Sequence, residues 1–398
     1  MATAFSKGEL ILPTEEELLE VVPGQWSKER VNAWYDELPW LVGCNYYPAT
    51  AINQIDMWQD STFDLPTIKK ELELAASIGM NTLRVYLHDM VWADDAEGLY
   101  DRMDQFLDVC KQNGIRPSFV FFDDCHYPDP KLGPQPLPVY AWHNSGWLNS
   151  PARAVAVRFS EGTASEEEVA QLKGYVQETI RRFKDDDRVL YWELYNEPGR
   201  GSGDSGDMQS TKRRKGAMGN RSRYLVYYSW VWAREENPSQ PITSTTAGCV
   251  GDQNIYINRI NSDLHSIHSY HPSPKFDEVI AEYKKDDRPV IMTEWLARSI
   301  GQDVEECLDI MKRENVGAIN WGFVSGKTAT IWPWSSRKQV EGANKFDSVN
   351  LMRKAGKVIN PGDPYPEPKV WFHDLFRPDH TPYRAEEIEA FKRLTGKE

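Results

Sequence analysis

Cysteine is scarce and long apolar runs are missing. Five cysteines, Cys44, Cys110, Cys125, Cys249 and Cys307, are scattered through 398 residues without CxxC spacing. That excludes a disulfide framework or a cysteine-based zinc site and reads them as small buried hydrophobes. No stretch approaches the roughly 18 consecutive apolar residues of a membrane span. The opening MATAFSKGELILPTEEELLE has no basic segment leading into an apolar one, so the expected location is cytoplasmic. Positive charge is in deficit: 46 Lys and Arg against 60 Asp and Glu leave a net charge of −14, which argues against nucleic acid or anionic membrane as partners. HExxH and clustered His and Cys ligands are absent, so neither a metal nor another cofactor is expected. The segment Gly322 to Thr328 is short of a phosphate loop, with three residues between its glycines where the motif needs four. Lys212-Arg213-Arg214-Lys215 sits in a Gly/Ser/Asp-rich stretch of an acidic chain and reads as part of a solvated loop. Asn220-Arg221-Ser222 fits the glycosylation pattern, and without an export signal it is expected to stay unmodified.

What the chain has is enough apolar material for a large core, at 40% hydrophobic and 27% charged, and an unusual number of tryptophans, 15 beside 18 Tyr and 14 Phe. Eight apolar runs read as strands: Trp40 to Cys44, Thr82 to Tyr86, Pro117 to Phe122, Val189 to Tyr195, Ile242 to Thr246, His265 to Ser269, Pro289 to Thr293 and Ala318 to Trp321. Between them, stretches such as Ile68 to Ile78, Tyr100 to Gln112, Glu166 to Phe183, Tyr224 to Glu236, Phe276 to Lys285 and Val304 to Asn315 repeat apolar residues at three and four positions, as helices do. A last helix is expected over Ala385 to Leu394. Eight such units predict an α/β chain folded as a (β/α)8 TIM barrel rather than an open doubly wound sheet, because Asn45-Tyr46-Tyr47-Pro48 after the first strand is no glycine-rich loop. The expected organisation is one catalytic domain over 1–398, with an N-terminal arm over 1–38 and extended loops at the C-terminal face near 123–164, 199–222 and 325–367.

Barrel chemistry is built at the C-terminal ends of the strands. There the sequence offers Asn45 and Tyr46, Arg84 leading to His88, Asp123 and Asp124, Asn196 and Glu197, His268 and Tyr270, Glu294, and Trp321. Glu197 and Glu294 follow strands four and seven, which face one another across a barrel mouth. Two opposed carboxylates suit glycoside cleavage: one, kept protonated, gives its proton to the leaving oxygen, and the other, kept ionised, attacks the anomeric carbon. Arg84 beside Glu294 would favour the ionised form, Asn196 can bond a sugar 2-hydroxyl, and Tyr270 can donate to the attacking carboxylate. Taken singly each residue also has a structural reading: a capping Glu, a satisfied buried His268, a core Trp321. Their joint appearance at successive strand ends favours the chemical one.

Tyr195-Asn196-Glu197-Pro198, His268-Ser269-Tyr270, Thr293-Glu294-Trp295, Arg84 and Trp321 together resemble the signature of clan A glycoside hydrolases, especially family 5, over roughly residues 40 to 322. The resemblance implies a retaining mechanism with Glu197 as acid/base and Glu294 as nucleophile. It also implies that Arg84 and Tyr270 tune Glu294, that Asn196 binds the 2-hydroxyl, and that Trp321 floors the subsite of the non-reducing sugar. Family 5 commonly carries a His at the end of strand three, whereas this chain reads Phe122-Asp123-Asp124-Cys125-His126, so the role falls to His126 or to an Asp. Gly43 to Tyr46, Arg84 to Asp89, His143 to Trp147 and Glu294 to Arg298 resemble a group that includes subfamily 18, β-mannosidases acting on the Man-β-1,4-GlcNAc unit of N-glycan cores. The expected activity is therefore an exo-β-mannosidase on such an oligosaccharide. A β-xylosidase, β-glucosidase or endo-β-1,4-glycanase on the same machinery is the alternative, and a carbohydrate-binding barrel without catalysis the remote one. Sugar selection is expected to depend on Asn45, His88, Asp123, Asp124 and Trp147, with Trp147, Trp332 and Trp334 closing one end of the pocket. The resemblance also makes a homo-oligomer conceivable.

Overall fold

In the computed structural model of the chain, which describes residues 5–6, 9–200, 218–339 and 345–397, the apolar runs become strands and the amphipathic stretches between them helices. The strands are β1 (Val42–Asn45), β2 (Thr82–Tyr86), β3 (Arg116–Asp123), β4 (Trp192–Asn196), β5 (Ile242–Thr243 and Thr245–Ala247, interrupted at Ser244), β6 (His265–His268), β7 (Val290–Glu294) and β8 (Gly317–Trp321). All pair in parallel. β8 returns to β1 with Trp321 opposite Asn45, and the two pieces of β5 bond β4 and β6 respectively, which closes the ring. The fold is the expected (β/α)8 barrel.

Local sequence accounts for the helices. Glu166–Phe183 starts with a capping box between Ser165 and Glu168, ends in Arg181 and Arg182, and buries Val169, Leu172, Tyr175, Val176, Ile180 and Phe183. Leu65–Ser77 is stopped at Gly79, whose φ of 89° suits glycine and whose added Cβ would lie 1.9 Å from the Thr395 hydroxyl oxygen. Helix Asp252–Asn261 shows no apolar periodicity because its buried face carries Asn254, Asn258 and Asn261. Their amides bond Val250 O, Thr245 O and the Val22 N–H.

Two ends of the barrel differ in material. At the N-terminal end, Trp26, Val31 and Tyr35 of the arm pack against Leu41, Leu190, Tyr191, Leu264, Ile291 and Ile319. Of the apolar run Val189 to Tyr191, expected as strand, Leu190 and Tyr191 are used in this floor and Val189 in the main core, and β4 begins at Trp192. At the C-terminal end, the insertions near 123–164 and 325–367 join: Asn144 N–H donates to Thr328 O (2.9 Å), Tyr140 N–H to Lys357 O (3.1 Å) and Ile359 N–H to Pro138 O (2.9 Å). Val139, Trp142 and Val349 form a small apolar cluster between them. Of the stretch 199–222, residues 201–217, with the basic run, lie outside the described residues.

Candidate active site

Arg84, in the middle of β2 and fully buried, organises the mouth of the barrel. Its Nε and Nη2 form a two-pronged pair with Glu193 of β4 (2.8 and 2.7 Å). Nη2 also reaches Asn196 Oδ1 (2.7 Å), and Nη1 reaches Asn45 Oδ1 (2.8 Å), Glu294 Oε1 (3.1 Å) and the Tyr86 hydroxyl. Burial opposes the charge on Glu193, but Arg84, helped by the Thr245 and Ser266 hydroxyls, keeps its carboxyl below the usual range. Arg84 is thus neutralised chiefly by Glu193.

Glu294 ends β7, where a register shift after Met292 sets it opposite His268 of β6. Its Oε1 accepts from Arg84 and from Tyr86 OH (3.2 Å), its Oε2 from Tyr270 OH (2.9 Å), and His268 Nδ1 lies 3.4 Å away. Burial raises its pKa, the nearby charge of Glu197 adds to this, and His268 and Arg84 oppose it. Glu197 directly follows β4 in a left-handed conformation with φ of 44°. The strained turn is tied down by Asp124, whose Oδ2 accepts from Gly199 N (2.6 Å) and the Ser222 hydroxyl (2.6 Å). Glu197 Oε1 meets His268 Nδ1 at 2.9 Å, while Oε2 accepts from the Cys125 thiol (3.2 Å) and forms an ion pair with Arg200, whose Nε lies 3.0 Å away. Burial alone would raise its pKa, yet Arg200 and His268 hold it down at about 2. Gly248 lies flush against this group: a Cβ there would stand 3.0 Å from Glu197 Oε1 and 2.8 Å from His268 Nδ1.

One oxygen from each glutamate and a nitrogen of His268 all lie within 4.8 Å of one another. Among the described residues this is the cluster with ligand spacing for a cation, and its atoms are already engaged with Arg84, Arg200, Cys125 and the two tyrosines. Two carboxylates this close, one fed by an arginine–tyrosine network and the other on a turn, are equipped for two-carboxylate glycoside chemistry.

The family described as Cellulase (glycosyl hydrolase family 5) matches residues 46–326, most of the barrel. The chain belongs to glycosyl hydrolase family 5. No curated protein sequence matches it. Solved structures similar to this family 5 barrel include an endo-beta-1,4-mannanase from Thermotoga petrophila (13% identity, TM-score 0.52, covering 91% of this chain and 77% of that one). An exo-beta-1,4-mannosidase from Opitutaceae bacterium strain TAV5 is also similar (17%, TM-score 0.53, 90% and 60%). So is GH5_18 from Streptomyces cattleya in complex with GlcNAc (12%, TM-score 0.52, 89% and 80%). No helix among the described residues is long and apolar enough to cross a membrane.

In this family 5 chain, Asn45, Arg84, Asn196, Glu197, His268, Tyr270 and Glu294 meet in one network. Asn45 donates downward to Thr293 O and Asn320 O. Asp123 adjoins them: Oδ1 accepts from Asn196 Nδ2 (3.0 Å) and Oδ2 from Trp147 Nε1 (2.8 Å), and burial pushes its carboxyl well above the ordinary range. Trp147 and Trp321, with ring centroids 5.5 Å apart, form an aromatic box with Tyr86 and Tyr47. Four candidates stand apart from the carboxylate pair. Tyr46 turns outward, stacks on Phe106 and donates to Glu71 (2.8 Å). His88 caps helix Asp89–Asp94 and bonds Asn149 O (3.0 Å), burial holding it neutral. Asp124 serves the turn beneath Glu197, and at the end of β3 it is Cys125 rather than His126 that reaches Glu197. The sequence reading missed Tyr86, Glu193, Cys125 and Arg200. Tyr86, two residues beyond Arg84 on one strand face, and Glu193, a charge inside an apolar strand, carried a signal. Cys125 and Arg200, brought in by loops, carried none.

Proposed function

We propose that this glycoside hydrolase is a retaining, exo-acting β-mannosidase on Man-β-1,4-GlcNAc and similar small oligosaccharides, within one catalytic domain. Retention rests on a single observation, the approach of the two carboxylates to within 4.8 Å across His268, too close to seat the water that inversion needs between them. In this reading Glu197 gives its proton to the glycosidic oxygen as the C1–O bond breaks, and a Glu294 oxygen forms the bond to C1. Glu197 then takes a proton from water as that water attacks C1 and frees Glu294. Asn196, oriented by Arg84 and Asp123, would bind the sugar 2-hydroxyl, and Trp321 would lie under the ring.

Exo action is supported by the strap made from the two joined insertions. It brings Trp147 against Tyr47, Tyr86 and Trp321, beyond the ends of β1, β2 and β8, as a wall on one side of Glu294. The mannoside is supported by the resemblance of Glu294 to Arg298 and its companions to subfamily 18, and by mannan- and mannoside-active proteins among its fold neighbours. The test is a panel of Man-β-1,4-GlcNAc, β-1,4-mannobiose, cellobiose, xylobiose and polymeric mannan, with products identified and the first-formed anomer followed by proton NMR. Mannose released from the first substrate as the β anomer is expected. Internal cleavage of mannan without release of mannose from the disaccharides would assign an endo-mannanase instead, and a preference for cellobiose or xylobiose would assign another glycone.

A further inference from the structure

The strap that carries Trp147 is fastened to the end of β3 at Asp123. The main chain there pairs with Ser150 in both directions: the Asp123 N–H donates to Ser150 O (2.7 Å), and the Ser150 N–H donates to Asp123 O (2.9 Å). The side chain then holds Trp147 itself, whose Nε1–H donates to Oδ2 (2.8 Å). β3 and β4 pair with Asp123 opposite Asn196, so the same carboxylate also faces the amide beside Glu197. Oδ1 accepts from Asn196 Nδ2 (3.0 Å) and from the Cys125 N–H (2.8 Å).

All three of these donors are neutral N–H groups, and among the described residues no cation pairs with Asp123, although it is only 1% exposed. Burying an acid without a counter-ion costs stability. What it achieves is the alignment of three donors from β4, the strap and the turn after β3. For Asn196 that alignment decides which end of the amide meets a sugar. Oδ1 accepts from Arg84 Nη2 (2.7 Å) while Nδ2 donates to Asp123. A flipped amide would set N–H₂ against the guanidinium and the carbonyl oxygen against the carboxylate, two repulsions in place of two bonds. Asn196 is thereby held as a donor, and the second hydrogen on Nδ2 has no partner among the described residues.

We propose that Asp123 is a positioning residue that makes the wall of the pocket and the 2-hydroxyl contact one unit: it sets Asn196 with an N–H toward the sugar while Trp147 anchors its other oxygen. This rests on the reading of Asn196 as the group that binds the 2-hydroxyl. With Oδ2 unanchored, the carboxylate can turn about its own bond and Oδ1 leaves the Asn196 amide. Loss of the Trp147 N–H is therefore felt at a hydroxyl that Asn196 binds.

The test measures kcat/KM for the panel disaccharide hydrolysed fastest and for the same disaccharide without the glycone 2-hydroxyl; their ratio is the 2-hydroxyl factor. The intrinsic reactivity of the 2-deoxy glycoside is common to all the proteins and cancels when factors are compared. A disturbance of Glu197 through Cys125 slows both substrates and cancels likewise. D123N sets an amide N–H₂ among donors, and the factor is expected to fall by more than about threefold from the native one. W147F keeps an aromatic wall but removes the donor, and the factor is expected to fall by more than about twofold. A smaller fall in D123N overturns the proposal, and a smaller fall in W147F overturns the link to the wall. A merely structural Asp123 would lower Tm, or kcat/KM for both substrates, and leave the factor in place. Should D123N fail to fold, W147F decides alone. N196A separates the two levels. If it keeps the native factor, the reading of Asn196 fails and the proposal with it; if it loses the factor while D123N keeps it, only the role of Asp123 fails.

Discussion

Asp263 at the floor of the barrel and Glu294 at its mouth are both buried carboxylates held by an arginine, and they are satisfied in different ways. Asp263 Oδ1 accepts from Trp26 N (2.7 Å) and Arg234 Nη2 (2.8 Å), and Oδ2 from Ile242 N (2.7 Å) and Arg234 Nη1 (2.8 Å). The arginine faces no competing carboxylate in that set, and two main-chain donors complete the shell. At the mouth, Arg84 divides its bonds among Glu193, Glu294, Asn45 and Asn196, and Glu294 faces a second glutamate across His268. Four donors and no facing carboxylate make Asp263 a fixed joint between arm, β5 and helix Arg223–Glu236. Glu294, sharing its arginine and facing a second carboxylate, keeps charge in tension and available for reaction.

Substituting the mouth should produce the largest effect and mark it as functional. E294Q keeps the shape and the Tyr270 and Tyr86 contacts but removes the attacking charge, so kcat on any hydrolysed disaccharide is expected to fall on the order of 10^4-fold or more. Tm should hold or rise, because the repulsion between Glu197 and Glu294 is relieved. Steady-state kinetics beside a thermal melt decides this; a large fall in Tm would make Glu294 a structural residue like Asp263 and erase the contrast.

The floor should answer in the opposite sense. D263N leaves Arg234 buried without its counter-ion and places an amide N–H₂ opposite donors. The expected loss is about 3 to 5 kcal/mol of stability, read from denaturant unfolding, with KM unchanged at temperatures where the variant stays folded. A change in KM without loss of stability would connect the floor to the mouth and break the comparison.

This division was half legible in the sequence. Glu197 and Glu294 stood out because each directly follows an apolar strand, and Arg84 because a charge inside such a strand needs a reason. Asp263, also beside a strand, gave no sign of its arginine, which comes from the last turn of helix Arg223–Glu236. Tyr46 was misread as lining the mouth through its neighbour Asn45. Successive strand residues face opposite ways, so Asn45 bonds Arg84 inside the barrel and Tyr46 points out to the helix Leu65–Ser77. Asp124 failed in the same way beside Asp123. Arg200 and Cys125 reach Glu197 through loop conformations, which no period reports.

The misplaced Tyr46 leads to the smallest effect. Its hydroxyl and the Ala49 N–H each donate to Glu71, yet burial outweighs both, with Asp64 adding repulsion, and pushes the Glu71 carboxyl up to about 7. The folded protein therefore holds a proton there that the unfolded chain, at an ordinary 4.5, gives up earlier. Stability from this group is fully present below about pH 4.5 and fades as pH rises toward 7, by up to about 3 kcal/mol. E71Q is neutral throughout, so its unfolding free energy should fall less between pH 5 and pH 8 than that of the native protein, while kcat stays near native because Glu71 touches neither glutamate of the mouth. Paired denaturant unfolding curves at the two pH values measure the difference. Equal slopes with pH in the two proteins would mean that Glu71 is ionised in the fold, with Tyr46 and Ala49 as full partners of a charge, and this rim of the barrel would then resemble Asp263 at the floor.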